Sequence, residues 1–514
     1  MPVLPTFLDP RAPSYADNRA AMLDRLAELD SALGQARAGG GDKYVTRHHA
    51  RGKLLARERI ELLVDRDTPF LELSPVAGWG TEYPVGASVV TGIGVVAGRP
   101  CVLIANDATV RGGTLNPYTL KRSTRALEIA RANRLPVINL VEIGGTELTA
   151  QAELFLPGGA LYRDLARLAS AGIGTVAAVF GKATAGAALL AGLAGTTILV
   201  RDRARVFLAG PPEVRILTGQ QTDEESLGGA VMHATRSGLA DAVAEDERDA
   251  IRLVRDAVAR LASRTRMAPQ ALPEPPKHDA DDLLGIPPPD LRVPFDPREV
   301  LGRILDGSRF DEFKPAYGTG LCTGWGTIHG HRIGVLANAR SVLLDPEAGK
   351  ATQFIRSADA SGTPLLFLQN TTGYAVGVEH ARTGIINQAA MMINAVANSA
   401  VPHLTVNIGA SYGTGNYGMC GRGFDPRFLF AWPNAKSAVL GPAELAGTRA
   451  GLAERIDEES TALHLSGLLH DDGVIDPRDT RTVLGLCLSV LPAAPVGDSP
   501  TGDRHGTVRM RGRA

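Results

Sequence analysis

Short apolar runs alternate with longer segments of mixed polarity along this chain. The runs Pro100 to Ala105 and Arg332 to Ala337 have the length of single strands and show no polar alternation, which predicts strands buried on both faces. Val137 to Val141 and Thr175 to Phe180 read the same way. Thr119 to Asn133 spaces apolar residues among Arg and Glu at helical intervals. Tyr15 to Ala38 carries the pattern of an amphipathic helix, expected to pack on the outside. The rhythm of strand, turn, strand, helix predicts a superhelical α/β core.

The rhythm occurs twice. Thr91-Gly-Ile-Gly-Val-Val-Ala-Gly98 precedes an apolar run ending in Ala105-Asn106, and Thr323-Gly-Trp-Gly-Thr-Ile-His-Gly330 precedes one ending in Ala337-Asn338, an offset of 232 (91 to 323). Leu135-Pro-Val-Ile-Asn-Leu answers Thr363-Pro-Leu-Leu-Phe-Leu, and Gly181-Lys-Ala-Thr-Ala-Gly-Ala187 answers Gly409-Ala-Ser-Tyr-Gly-Thr-Gly415, both at 228 (181 to 409). Leu208-Ala-Gly-Pro211 answers Val439-Leu-Gly-Pro442 at 231 (208 to 439). Any two α/β domains share some rhythm, but four landmarks in one order at near-constant spacing are better explained by a duplication. Met267-Ala-Pro-Gln-Ala-Leu-Pro-Glu-Pro-Pro-Lys277 and Ile286-Pro-Pro-Pro-Asp290 sustain neither helix nor central strand and read as a linker. The expected division is a first domain over 1–266, a linker over 267–290, a second domain over 291–492 and a loose tail over 493–514.

With 514 residues, 44% of them hydrophobic and 21% charged, the chain has the profile of a soluble globular protein of two to four domains. Gly is abundant (58 residues) and aromatics are scarce (5%), which suits close backbone approach and ligand binding through amides. A formal net charge of -1 offers no electrostatic ground for a nucleic-acid or membrane partner. Cys101, Cys322, Cys420 and Cys487 lie far apart without a CxxC pair, so neither a zinc ribbon nor a disulfide framework is expected. The N-terminus lacks the apolar core of a secretory signal, and no apolar run of about 18 residues occurs; a reducing cytoplasm is the expected location.

Four segments carry candidate chemistry. Gly181-Lys-Ala-Thr-Ala-Gly-Ala-Ala188 follows an apolar strand and opens a small-residue run that can be a helix. Small residues at a helix start present unpaired N–H donors, the construction of an oxyanion hole for a thioester enolate; the alternative is that they only permit tight helix–strand packing. Tyr412-Gly-Thr-Gly-Asn-Tyr-Gly-Met-Cys-Gly421 is its partner in the second copy, or a glycine-rich structural turn. Two such devices suggest a reaction between two carbonyl-bearing molecules. Gly144-Gly145, with its counterpart Asn370-Thr-Thr-Gly373, could shape the pocket or be a plain turn. Lys43, Arg47, His48, His49, Arg51, Lys53, Arg57 and Arg59 could attract phosphates, but Glu58, Glu61 and Asp65 favour a solvated helix face. No Gly-x-x-x-x-Gly-Lys-Ser/Thr loop and no Met-Lys-Met biotinylation site occur, so ATP use and biotin attachment would belong to another chain.

Nearly the whole chain resembles the β (carboxyltransferase) subunits of acyl-CoA carboxylases. The likeness includes Ala50-Arg-Gly-Lys-Leu-Leu-Ala-Arg-Glu-Arg-Ile60, Phe207-Leu-Ala-Gly-Pro-Pro212, Leu227-Gly-Gly229 and Val474-Ile-Asp-Pro-Arg-Asp-Thr-Arg481. Phe367-Leu-Gln-Asn-Thr-Thr-Gly373 and Gly415-Asn-Tyr-Gly-Met-Cys-Gly-Arg422 look most like the methylcrotonoyl-CoA and geranyl-CoA carboxylase branch. The resemblance implies two tandem crotonase-like domains, the first on the acyl-CoA side and the second on the biotin side, commonly in a homohexamer. It implies that Gly186 and Ala187 hold the acyl-CoA enolate and that Thr414 and Gly415 hold the ureido oxygen of biotin. Gly144, Gly145, Ala185, Tyr412, Gly413, Gly373 and Lys350 would line the substrate sites. Biotin would arrive on a biotin carboxylase/biotin carrier subunit, the acyl group as its coenzyme A thioester, and no metal is needed.

Against the family pattern, this chain has Ile143-Gly144-Gly145 for Ser-Gly-Gly, Ala185-Gly186-Ala187 for Ala-Gly-Gly and Gly413-Thr414-Gly415 for Gly-Ala-Gly. Asn387-Gln388 replaces a Lys-His pair, Met391 replaces a Lys, and about a score of residues are missing between Gly447 and Val474. The expected activity is carboxyl transfer to an acyl-CoA. The alternatives are a biotin-independent homologue that decarboxylates or otherwise processes an acyl thioester, and a non-catalytic assembly subunit.

Overall fold

The computed structural model describes residues 1–262, 265–441 and 450–493. Contacts divide the chain into two units. One gathers residues 31–262 with 467–469; the other gathers residues 1–30 with 265–441, 450–466 and 470–493. The division runs through the first helix, Pro13–Arg37, close to its predicted bounds.

The first unit is a mixed sheet of eight strands: β1 (Leu71–Glu72), β2 (Val89–Val96), β3 (Arg99–Asn106), β4 (Val137–Ile143), β5 (Thr175–Thr184), β6 (Thr196–Val200), β7 (Arg205–Phe207) and β8 (Ala242–Ala244). Their spatial order is β1-β2-β3-β4-β5-β6-β8, with β7 against the far end of β5. β1, β2 and β3 pair antiparallel, β2 and β3 through the two-residue turn Ala97-Gly98, and the remaining pairs are parallel. Every residue of β4 is buried, Asn139 and Glu142 among its apolar residues included. Helix Pro117–Asn133 starts where Asn116 accepts hydrogen bonds from the Tyr118 and Thr119 amides, with Pro117 at its first position.

The second unit repeats this plan with β9 (Asp311–Glu312), β10 (Leu321–Ile328), β11 (His331–Asn338), β13 (Leu365–Thr371), β15 (His403–Tyr412), β16 (Phe428–Ala431) and β17 (Lys436–Ala438); β12 (Val342–Leu343) and β14 (Gly373–Tyr374) form a separate small pair. The order is β16-β15-β13-β11-β10-β9, with β17 against β15. The registers coincide at the spacing read from sequence. Val102 faces Val137 as Gly334 faces Leu365; Val137 faces Thr175 as Leu365 faces His403; Lys182 faces Arg205 as Ala410 faces Lys436. The irregularity between Val141 and Ile143 recurs between Gln369 and Thr371.

Residues 267–279 form no helix or extended strand, as their prolines require, yet they are tied down: Met267 N–H donates to the Leu491 carbonyl and Gln270 N–H to that of Gly330. The following turn, Ala280–Gly285, buries Leu283 and Leu284. The N-terminal residues join the same unit through Leu4 N–H on the Ser308 carbonyl and through Thr6 and Phe7 on the Glu299 carboxylate. The tail expectation and the Pro442 landmark lie outside the described residues. Among the described residues no helix is long and apolar enough to cross a membrane, and no cluster of side chains is composed to hold a metal. The four cysteines are free and buried.

Candidate functional site

In each unit the longest parallel strand ends in a sharp turn that opens a short helix. After β5, Ala185 N–H donates to the Phe207 carbonyl, and Ala188 N–H closes back on the Ala185 carbonyl. Helix Gly186–Gly192 begins between these bonds. The amides of Gly186 and Ala187 therefore fall in the gap, where a first helical turn has no internal acceptor. After β15 the pattern is the same: Gly413 N–H donates to the Ala438 carbonyl and Asn416 N–H to the Gly413 carbonyl, leaving Thr414 and Gly415 between them. Helix Gly415–Gly418 follows.

The turn demands a left-handed backbone at its first residue. Gly413 supplies it with φ 55, at no steric cost. Ala185 likewise has a positive φ (57, with ψ -123), a region that a residue bearing Cβ enters only under strain. Space is scarce at the next positions. A Cβ on Gly186 would sit 2.0 Å from the Tyr162 hydroxyl, and one on Gly415 would sit 2.8 Å from both Gly373 Cα and Thr371 Oγ1. Both turns are therefore cradles that exclude side chains at the helix start. Tyr162 lies on helix Gln151–Ser170, half-buried, and burial raises its pKa.

Gly144 and Gly145 follow β4, and Gly373 holds the matching place after β13. Gly145 (φ 152) and Gly373 (φ 123) both need glycine geometry. Gly144 N–H is used by the Gly112 carbonyl, so it shapes the wall and is not a free donor. Gly373 packs against the turn at Gly415, and its N–H donates to Thr371 Oγ1. Tyr412, the last residue of β15, is buried, and its ring covers Gly441. The structure thus gathers Ala185, Gly186 and Ala187 at one turn, and Tyr412, Gly413, Thr414, Gly415 and Gly373 at the other. Lys350 is in neither group. It is fully buried in helix Asp345–Ser361, with its ammonium on the Leu321 carbonyl at 2.8 Å, and burial lowers its pKa.

The basic stretch is not, as a whole, a solvated face. Arg59, 1% exposed, donates to Glu142 at 2.8 Å and to Glu247 at 2.9 Å, with its guanidinium over the Phe180 ring. Lys53 binds Glu142, Arg57 binds Glu72, and His49 binds Glu58. Burial pushes the Glu142 carboxyl upward, but Arg59 and Lys53 outweigh it and hold the group below its ordinary range. Only Lys43, Arg47, His49 and Arg51 remain on the surface. The counter-charges came from strands and helices remote in sequence, which the local run of Glu58, Glu61 and Asp65 did not reveal. Asn387 is exposed at the start of helix Ile385–Asn398.

Residues 47–505 match the family model described as the carboxyl transferase domain. A Mycobacterium tuberculosis protein described as a probable biotin-dependent acyl-coenzyme A carboxylase beta2 subunit is 56% identical, over 96% of this chain and 98% of its own. The biotin-dependent 3-methylcrotonyl-coenzyme A carboxylase beta1 subunit of the same organism is 42% identical, over 94% and 97%. Among solved structures, the beta subunit of P. aeruginosa geranyl-CoA carboxylase superposes with a TM-score of 0.87 at 40% identity, covering 95% of this chain and 96% of that one. On sequence and on fold, this chain belongs to the carboxyl transferase family.

Proposed function

We propose that this chain is the carboxyltransferase subunit of a biotin-dependent acyl-CoA carboxylase, built from two tandem crotonase-like domains. The observation that carries the reading is the matched pair of turns, each leaving two adjacent amides without an internal partner. In the first domain, the amides of Gly186 and Ala187 stabilise the oxygen of an acyl-CoA enolate. Negative charge grows on that oxygen as the α-proton leaves, so fixed donors bind the transition state more tightly than the thioester. In the second domain, the amides of Thr414 and Gly415 bind the ureido oxygen of biotin. Carboxybiotin, carried by a partner subunit, supplies the carboxyl group and a ureido nitrogen that takes the substrate proton. Ala187 donates its N–H as a glycine would, so its methyl group does not disable the first turn. A side chain at Gly415 would collide with Gly373 and Thr371, so the backbone of this turn stays bare. Gly145, Ala185, Gly373, Tyr412 and Gly413 shape the two sites, and Lys350 supports β10 from behind.

The relatives' branch points to a branched or unsaturated acyl-CoA, and the four free thiols agree with a reducing cytoplasm. The working form is a homo-oligomer, a hexamer by family resemblance, acting with a biotin carboxylase/biotin carrier subunit. Purified chain, supplied with a biotinylated partner, ATP and radiolabelled bicarbonate, is expected to carboxylate at least one member of a panel led by 3-methylcrotonoyl-CoA. No incorporation with any partner, alongside decarboxylation of a carboxylated acyl-CoA without biotin, would replace this reading with a biotin-independent one.

A further inference from the structure

The two turns are held in place by different means. Helix Gly415–Gly418 is a single turn, too short to sustain itself, because nucleation fixes several dihedrals for one hydrogen bond. Glycines at 413, 415, 418 and 421 add backbone freedom that folding must remove. On one side of the segment lies a cavity of about 190 Å³, lined in part by Gln369, Asn407, Asn416 and Asp471.

Side chains bridge the gap. Asn416 Nδ2 donates to Ser411 Oγ at 2.7 Å, Ser411 Oγ donates to Gln369 Oε1 at 2.6 Å, and Gln369 Nε2 donates to the Met419 carbonyl at 2.7 Å. The path leaves the short helix at Asn416, crosses β15 and β13, and returns just past the helix end at Met419. Gln369 and Ser411 are each 1% exposed. The amide orientation of Gln369 is forced, because the reverse would point its oxygen at the Met419 carbonyl. In the first unit the equivalent positions are Val141, Ala183, Ala188 and Ala191. No such path exists there; a longer helix and apolar packing serve instead.

We propose that Gln369, Ser411 and Asn416 are positioning residues that hold the Thr414 and Gly415 amides for the biotin side of the reaction. None of the three touches a reacting atom, and the inference rests on the function proposed above. A hydrogen-bonded path with its two inner members buried specifies one geometry where a cavity would tolerate several.

The test uses the full chain with its biotinylated partner and the acyl-CoA of the panel that the wild type carboxylates best. Ser411→Ala and Asn416→Ala are expected to lower kcat/KM for the biotinylated partner about tenfold, while KM for the acyl-CoA stays within about twofold. Asn416 is only partly buried, so its variant serves if Ser411→Ala does not fold. Equal shifts in both substrates' parameters, or none, would overturn the positioning role. A wild-type chain that transfers no carboxyl group sinks the function itself, and this role with it.

Discussion

At Ala185 the chain accepts strain that its own second copy avoids. The turn requires φ near 57 at this position, and the equivalent residue is Gly413. Ala185→Gly should relieve about 1–3 kcal/mol of strain while adding about 0.5–1 kcal/mol of chain entropy to the unfolded state, a net gain of about 1 kcal/mol. Denaturant titration of the variant, with an unchanged m-value, is the measurement; a loss of stability would show that the methyl group packs usefully. One position later the outcome is opposite. Gly186 stands against the Tyr162 hydroxyl, so Gly186→Val must displace the tyrosine or the turn. Turnover should fall by at least about 10²-fold, the loss expected when an oxyanion donor is misplaced, with the assembly unaltered in size-exclusion chromatography. Retained turnover would remove the first turn from the mechanism.

Among the elements, β15 joins the second turn to the core, and its first residue is titratable. His403 is buried beside the Phe367 ring, 5.4 Å between centroids, with Nδ1 3.5 Å from Cys420 Sγ. Burial, assisted by Arg427, lowers its pKa to about 4. A histidine kept neutral in the folded state contributes stability above its ordinary value of 6.5, and that stability is lost as pH falls toward about 4. Between pH 7 and pH 5 the loss from this group is about 2 kcal/mol. Unfolding midpoints of the wild type and His403→Leu at the two pH values check this: the variant should show the smaller decline. The elements themselves were legible because strands buried on both faces write continuous apolar runs. The ion pairs of Arg59 were not, because Glu142 and Glu247 reach it only after the sheet has formed.

For the whole molecule, duplication is the governing fact. Two copies of one strand plan, in matching register, place equivalent turns at the ends of β5 and β15. The sequence contains neither a nucleotide-phosphate loop nor a biotinylation motif. ATP-dependent fixation of bicarbonate should therefore require the biotin-bearing partner, whereas transfer from a carboxylated acyl-CoA to free biotin should proceed with this chain alone. Parallel assays with and without the partner separate the two; fixation by the isolated chain would contradict the division of labour.

Sequence alone determined the duplication, the strands around 100–105, 137–141, 175–180 and 332–337, the family and the positions of both turns, since each leaves a local signature of apolar runs, Gly, Ala and Pro. Tertiary structure decided what surrounds them. It drew Arg59 into a buried charge network, enclosed Lys350 behind β10, set Tyr162 over Gly186, and linked Gln369, Ser411 and Asn416 behind the second turn. Apart from Asn416 on Ser411, those contacts join residues tens to hundreds of positions apart, and no local pattern encodes which distant partner will meet a charge or an amide once the sheets have formed.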